Sequence, residues 1–473
     1  MEHTEDRWAR QATNEISAAM EVARLAKAAG GRALLVGGCV RDSILGVPVK
    51  DIDVEVFGVA PEVLKETLSR RFDLDLVGQS FGVIKLHHLD VDVSLPRRES
   101  KRGTGHKGFD IDSDPNLSVA EAASRRDFTV NAIYRDPLND ELIDPWGGVE
   151  DLRRRRLRHV SDKFAEDPLR VLRGMQFIAR FGLAPAPETV AVCSGIDPEG
   201  LPPERQFEEW AKLLVKGVDI SRGLAFLRAT GWVRHYPELA KLIGCRQAPE
   251  WHPEGDVWNH TCCCLDAFAR RREGRRRMPG EERDEDLMVG LAVLCHDFGK
   301  PATSRWDRKM NRIRSIGHDQ AGVKPTLSFL RRLTNEERIL RLVPPLVQFH
   351  MAPFAYWKSK ASDAAIRRLA LKVGSVQRLI RVAQADDEGR PPYPPEPEPL
   401  EWLAAAAERL RVAASAPRPM LMGRHLIRMG YRPGPQLGRW LNECFEAQLD
   451  GAFTDLDGAI EYFRQHIGKE ETT

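Results

Sequence analysis

Residues Val36–Gly58 read VGGCVRDSILGVPVKDIDVEVFG, and this stretch decides the fold. The apolar run Ala33–Val36 reads as a strand, Val40–Leu45 as a short helix, and the alternation over Ile52–Phe57 as a second strand. Successive strand residues at i and i+2 face the same side, so Asp51 and Asp53 present two carboxylates together. Asp92, in VDVSL, can add a third from a neighbouring strand. Converging carboxylates repel one another unless cations sit among them, the arrangement used by two Mg²⁺ ions roughly 4 Å apart in phosphoryl transfer. Gly37 and Gly38 let backbone N–H groups approach a triphosphate, and Arg41 can neutralise it. A lone DxD is also common on ordinary surfaces, with Asp51 ending a loop and Asp53 pointing outward. The combination with GG-x-x-R is what favours a phosphate site.

Outward from this unit, residues 14–29 form an Ala-rich helix stopped by Gly30-Gly31. Pro61–Arg71 reads as helix, and Leu74–Val77, Gly82–His87 and Val91–Leu95 as strands. Residues 97–120 are polar and carry no clear period; at this length they read as a mobile functional loop. From Asp162 onward strand signals nearly vanish. Pro168–Phe181, Pro203–Lys216 and Arg222–Gly231 read as helices, with others through Val382. RPPYPPEPEPL (390–400) reads as a stiff linker, and 401–465 as a small helical tail. No internal repeat is visible.

The 473 residues are too many for one core and imply two to four domains. With 42% hydrophobic and 30% charged residues the chain is an ordinary globular one. A net charge of +2 supplies no global field for nucleic acid, so such contacts must come from local patches. Candidates are Arg153–Arg156, Arg270–Arg272 and Arg275–Arg277, each also readable as a solvated face. The N-terminus MEHTEDRWARQATNEI lacks a signal-peptide core, and no run approaches the roughly 18 apolar residues of a membrane span. Eight cysteines, three of them consecutive at Cys262–Cys264, fit neither a disulfide framework nor a CxxC zinc site. The plain expectation is reduced thiols in a cytoplasmic protein.

The motif GGCVRDSILG…DIDVEVFG is followed in order by RRDFTVNAI (125–133), IDPWGGVEDLRRRRLR (143–158) and EDPLRVLRGMQF (166–177). Together they resemble the class II tRNA nucleotidyltransferases (CCA-adding enzymes) and the bacterial poly(A) polymerases. The resemblance implies an α+β fold: an N-terminal helix (1–30), a nucleotidyltransferase head with a small palm sheet (31–155), and a helical neck (156–244). A helical HD domain (245–390) and a linker with helical tail (391–473) would follow. It implies Mg²⁺ at Asp51 and Asp53, with Asp92 assisting. Nucleotide binding would fall to Gly37, Gly38, Arg41, Arg126, Asp127, Asn131, Glu166, Asp167, Arg170 and Arg173. Arg126 would bind phosphate and Asp127 and Asn131 a ribose, while Asp167 and Arg170, three apart on the neck helix, would share a face and pair with a base edge. The substrates implied are CTP, ATP and a tRNA 3′ end, without template and without membrane association. Poly(A) addition uses the same motifs, although the 97–120 loop resembles the one needed for switching to A addition. Where the family often has an arginine three residues beyond Arg173, this chain has Gln176. The tail's GRHLIRMGYRPGPQLGRWL resembles the family's C-terminal segment and stays open between RNA contact and helix packing.

HDFGK (296–300) closes the apolar run LMVGLAVLC, with His260 upstream and Asp386 downstream. The order H…HD…D resembles the HD-domain phosphohydrolases, and His260, His296, Asp297 and Asp386 suit an octahedral divalent ion such as Mn²⁺, Ni²⁺ or Fe²⁺. Lys300, His318 and His350 are further phosphate or second-metal contacts. CCA-adding enzymes carrying such a domain are associated with hydrolysis of 2′,3′-cyclic and 2′-phosphates, so the resemblance implies that side activity. The opposing reading is a phosphohydrolase whose head only binds RNA, or an HD fold kept as a helical support.

Overall fold

The computed structural model describes residues 14–49, 51–75, 83–101, 109–273 and 281–468. Parts of two expected strands (76–77 and Gly82) and the Arg275–Arg277 patch lie outside them. The chain forms two units, one ending at His235 and the other beginning at Tyr236.

The first unit is built on a mixed sheet. Its strands are β1 (Arg32–Val36), β2 (Ile52–Phe57), β3 (Leu74–Asp75), β4 (Val83–Leu86), β5 (Val91–Ser94), and, after a separate hairpin of β6 (Arg97–Lys101) and β7 (Phe109–Ser113), β8 (Tyr134–Arg135) and β9 (Leu142–Ile143). The order across the sheet is β3-β4-β5-β2-β1-β8-β9. β2 runs antiparallel to β1, with Val36 opposite Asp53, and parallel to β5, with Asp53 opposite Asp92. Leu34, Val54 and Val93 are fully buried; each such aliphatic side chain contributes about 1.5–3 kcal/mol. The β6–β7 hairpin corrects the loop reading of this segment. RRESK has no β-branched or aromatic residue, so its strand character comes from backbone pairing with FDIDS and leaves no propensity signal.

The neck helix spans Leu169–Phe181 and buries almost every residue. Asp167 precedes it in extended backbone, as expected before a proline, and its Oδ1 accepts from Leu169 N at 3.1 Å. The Pro203–Lys216 and Ile220–Ala229 helices pack on it.

The second unit is helical. Val257–Glu273, Glu281–Cys295, His318–Leu333, Glu337–Gln348 and Val376–Glu388 enclose a buried histidine–aspartate cluster. A two-stranded hairpin, Arg305–Asp307 with Arg312–Arg314, interrupts the helices, where the sequence shows no strand signal. Pro397 opens the Pro397–Arg409 helix, which packs on Val376–Glu388, so the end of the expected linker is helical. Proline is well suited to a first helical turn, where its missing N–H costs nothing. Leu426, Trp440, Cys444 and Phe463 form a separate small core near the C-terminus. Among the described residues no helix is long and apolar enough to cross a membrane, and the eight cysteines are free thiols.

Candidate active site and metal centre

In the first unit Asp53, in β2, borders a cavity of about 440 Å³ shared by sheet and neck. Its lining holds nine Arg and Lys side chains against three aspartates (Asp53, Asp127 and Asp167), a cage for a polyanion. The Asp53 carboxyl titrates above its ordinary range through desolvation, with repulsion from Asp92, Asp51 and Glu55 adding to it while Arg126 opposes. Carboxylates in this mutual repulsion fit a divalent cation, Asp92 by its register opposite Asp53 and Asp51 from the bend before the strand. Lys85 Nζ lies 3.3 Å from Asp92.

Gly37 has φ 82°, and a Cβ there would meet Arg126 Nη1 at 3.3 Å and Asp53 Oδ2 at 3.4 Å. The glycine therefore keeps open the gap between the acid and the arginine. Gly38 begins the helix that follows.

Arg41 is buried and already engaged. Nη1 donates to Asn131 Oδ1 at 2.6 Å, Nε to Asp42 at 2.8 Å, and the guanidinium lies 4.3 Å from the Phe181 ring centroid. Asn131 Nδ2 donates to Asp127 Oδ1 at 2.9 Å, and Asp127 Oδ2 accepts from Nε and Nη2 of Arg173 at 2.7 Å each. Although burial opposes it, Arg173 and these hydrogen bonds hold Asp127 below the usual carboxylate range. The chain Arg41–Asn131–Asp127–Arg173 thus ties sheet to neck, and both Arg41 and Arg173 line the cavity through it.

The structure corrects the expected geometry of the base-reading pair. Asp167 and Arg170 do not share a helix face, because Pro168 turns the chain and Asp167 caps the helix from outside. Both still line the same cavity. Asp167 Oδ2 accepts from Arg205 Nη2 at 3.0 Å, while Arg170 donates to the carbonyls of Lys163 (2.7 Å) and Arg125 (2.5 Å). Glu166 sits in a short turn ahead of the helix and is absent from the lining. Gln176 is in it, 2% exposed, with Oε1 lacking a hydrogen-bond partner.

Sequence reasoning missed several lining residues. Arg205, Lys212 and Lys216 recur at spacings of seven and four on the Pro203–Lys216 helix, a face signal that could have found them. Glu55 follows Asp53 on the same strand face and is fully buried, accepting from Arg125 and from the Tyr134 hydroxyl at 2.7 Å each. Of the arginine patches, Arg154 is paired with Glu150, Arg156 with Glu188 and Arg271 with Glu388, and Arg272 is buried. These pairs point to structural use.

In the second unit His260, His296, Asp297 and Asp386 converge, each 1% exposed or less except for a partly open Asp386. His296 Nδ1 donates to Val293 O at 2.8 Å, His318 Nδ1 to Ser315 O at 2.8 Å, and His350 Nδ1 to Val347 O at 2.7 Å. The Nδ1 of His260 lies 2.7 Å from Glu254 Oε1. For His296, His318 and His350 these bonds fix the proton on Nδ1 and leave Nε2 as the inward lone pair, whereas His260 has a carboxylate on both sides, with Asp386 Oδ1 3.0 Å from its Nε2. The Nε2 atoms of His260 and His296 are 3.3 Å apart, and those of His318 and His350 are 3.2 Å apart. Asp297 lies between the pairs, Oδ2 3.3 Å from His296 Nε2 and Oδ1 3.5 Å from His318 Nε2. Lys300 Nζ stands 2.8 Å from Oδ2, and although burial opposes it, His296 and this ion pair hold the Asp297 carboxyl well below its ordinary range. Ring nitrogens with inward lone pairs around an ionised, buried carboxylate fit a divalent metal, which His260, His296, Asp297 and Asp386 would hold.

Despite burial, hydrogen bonds from His252 and His260 bring Glu254 down to about 2, so it faces His260 as an anion. Burial, reinforced by the neighbouring His296, takes His350 down to about 4 and keeps it neutral. Cys264, one turn beyond His260, joins the first group, with Sγ 3.5 Å from His260 Nε2. Neither Glu254 nor Cys264 carries a motif that marks it in the sequence. The glycine of HDFGK has a steric reason: a Cβ at Gly299 would lie 1.9 Å from His318 O. Its absence lets the His318 helix start against the Asp297 turn.

Residues 33–158 match the family described as the Poly A polymerase head domain. The Multifunctional CCA protein of Xanthomonas campestris pv. campestris is 35% identical over 428 residues, covering 86% of this chain and 95% of its own. That of Halorhodospira halophila is 33% identical, covering 86% and 94%. Among solved structures, the Bacillus stearothermophilus CCA-adding enzyme in complex with CTP aligns with a TM-score of 0.64 at 22% identity, over 96% of this chain and 98% of that one. The Thermotoga maritima CCA-adding enzyme complexed with tRNA aligns at 0.57 and 17%, over 97% of each. These last two speak to the fold, a helical α+β chain with a small N-terminal sheet. With carboxylates paired on two interior strands of the sheet, an arginine cage and relatives of this identity covered nearly end to end, the chain belongs to the multifunctional CCA protein family.

Proposed function

We propose that the chain adds CCA, from CTP and ATP, to the 3′ end of tRNA without a template, working in the cytoplasm. The observation that carries this reading is the register of Asp53 opposite Asp92 at one end of a cationic cavity that holds Asp167 and Arg170. Mg²⁺ held by Asp51, Asp53 and Asp92 would supply Lewis-acid activation of the terminal 3′-hydroxyl and charge neutralisation on the phosphates. The chain's own residues bind and orient. Arg126, held 3.7 Å from Glu55 and beside Gly37, receives the triphosphate with the glycine N–H groups. Asn131 and Asp127 set the ribose position while joined to Arg41 and Arg173. Asp167 and Arg170 offer an acceptor and a donor to the base, and exchange their present partners, Arg205 and two carbonyls, for it. Head (31–155), neck (156–244), HD domain (245–390) and tail are the functional divisions this assigns. Purified protein given tRNA lacking its CCA end should incorporate three nucleotides and release pyrophosphate from CTP and ATP. Long A tails on any RNA would instead make it a poly(A) polymerase.

A second activity, metal-dependent phosphohydrolysis, is favoured by the convergence of four Nε2 atoms on Asp297 and Asp386. Mn²⁺, Ni²⁺ or Fe²⁺ there would polarise a phosphoester and activate water. Lys300 faces the cavity over the cluster and can hold the substrate phosphate. Ring opening of 2′,3′-cyclic AMP to the monophosphate, or phosphate release from 2′-AMP, in Mn²⁺ or Ni²⁺ tests it, and failure of both reactions with all of these ions sinks it.

A further inference from the structure

A cavity of about 580 Å³ opens over the histidine–aspartate cluster, within the range of small-ligand sites. Its lining includes the polar Asp297, Asp386, His318, His350 and Lys300, and also Trp251, Arg312, Ile316 and Met351. Trp251 is 51% exposed, an unusual state for the side chain with most to gain from burial. It is nevertheless tethered. Its backbone N–H donates to Ala248 O at 3.0 Å, and the next residue, His252, packs its ring 4.7 Å from that of His260 and bonds to Glu254. The indole is thus fixed relative to the metal-ligand set by a short, anchored segment.

The guanidinium of Arg312 lies 5.8 Å from the Trp251 ring centroid. Two other arginines of the cavity are neutralised locally, Arg314 by Asp307 at 3.0 Å and Arg390 by Asp387. Arg312 has no acidic partner among the described residues. An exposed indole with a cation beside it, lining the same cavity as Lys300 and the histidine–aspartate cluster, offers a face for a base beside a place for a phosphoester. Base stacking on an aromatic face accepts any base, and a guanidinium adds cation–π attraction and phosphate or base contacts.

We infer that Trp251 and Arg312 form a nucleobase-binding subsite for the second cavity, the base stacking on Trp251 while its phosphoester lies toward Lys300. This rests on the phosphohydrolase reading and narrows its substrates to nucleotides and nucleotide termini of RNA, without preference among bases.

The test compares 2′,3′-cyclic AMP with the methyl riboside 2,3-cyclic phosphate, the same ester without a base, using full-length protein loaded with Mn²⁺. Stacking is worth roughly tenfold to a hundredfold in affinity. Trp251→Ala should raise KM for the nucleotide by about that factor with kcat preserved, and leave KM for the base-free ester at the wild-type value. Trp251→Phe should keep most of the nucleotide affinity, and Arg312→Ala should raise nucleotide KM as well. Equilibrium dialysis of labelled 3′-AMP against metal-stripped protein should show the same loss in Trp251→Ala, because any binding in the head cavity, which Trp251 does not line, is common to both proteins. Equal effects on both esters, or no effect on dialysis, overturn the subsite. If wild-type protein hydrolyses neither ester, the phosphohydrolase reading fails, and the dialysis result alone decides whether Trp251 binds the base.

Discussion

Glu55→Gln is the perturbation from which the head has most to lose. Glu55 is fully buried, with Oε1 accepting from Arg125 Nη2, Oε2 from the Tyr134 hydroxyl, and Arg126 Nη2 at 3.7 Å. Burial alone would raise its pKa, yet Arg126 and Arg125 hold it below the usual value. Removing one partner of a buried ion pair costs roughly 3–5 kcal/mol, because the remaining charge stays uncompensated. Glutamine keeps one acceptor oxygen but turns an NH₂ toward partners that are donors, so the lower end, about 3 kcal/mol, is expected. For a unit of this size roughly 2–4 °C accompanies each kcal/mol, giving a fall of about 6–12 °C in its calorimetric midpoint. KM for CTP should rise as well, since Arg126 lines the cavity. A group with a depressed folded pKa contributes fully above its unfolded value and loses that contribution as pH falls through the folded one. The gap between wild type and variant should therefore be full above its unfolded value of 4.5 and narrow on further acidification. A midpoint within about 2 °C of wild type at neutral pH, with unchanged CTP affinity, would refute the reasoning.

Asp51→Ala and Asp53→Ala should each lower CCA incorporation by at least about a thousandfold, several kcal/mol of charge stabilisation, while CTP still binds; a rapid variant would show that the carboxylates are incidental. Glu254→Gln should weaken Mn²⁺ or Ni²⁺ binding by about 10–100-fold in calorimetric titration, as expected when a carboxylate orienting a ligand histidine is lost. Gly299→Ala should destabilise the second unit by more than about 3 kcal/mol, because its Cβ would sit 1.9 Å from His318 O. Thermal unfolding indistinguishable from wild type would contradict the close approach of the His318 helix to the Asp297 turn.

Much of this is legible in residue order, for identifiable reasons. Period-two alternation and paired glycines point to Asp53 and Arg41, which line one cavity, and H…HD…D marks four side chains that converge across more than a hundred residues of chain. Asp167 departs from its expected place because an i,i+3 spacing suggests a shared helix face, whereas Pro168 disfavours helix at the preceding residue. The strands of the β6–β7 hairpin and the Arg305–Arg314 hairpin are short, and only Phe109, Ile111, Trp306 and Ile313 break runs of polar and charged residues in them, too few for a clear period, so their pairing is a tertiary fact. Glu254 is invisible for a different reason: its role depends on a ring nitrogen six residues away that only the fold aims at it.

The links that complete the head site also set the time at which it can exist. Glu55 reaches its arginine across 70 residues, Arg41 reaches Asn131 across 90, and Asp127 meets Arg173 across 46. No local segment, however well formed, contains both halves of any of these contacts. Long-range closures of this kind are slow and come late in folding. During synthesis, then, the head cavity stays unassembled until the neck helix, which supplies Arg170, Arg173 and Gln176 to its lining, has emerged.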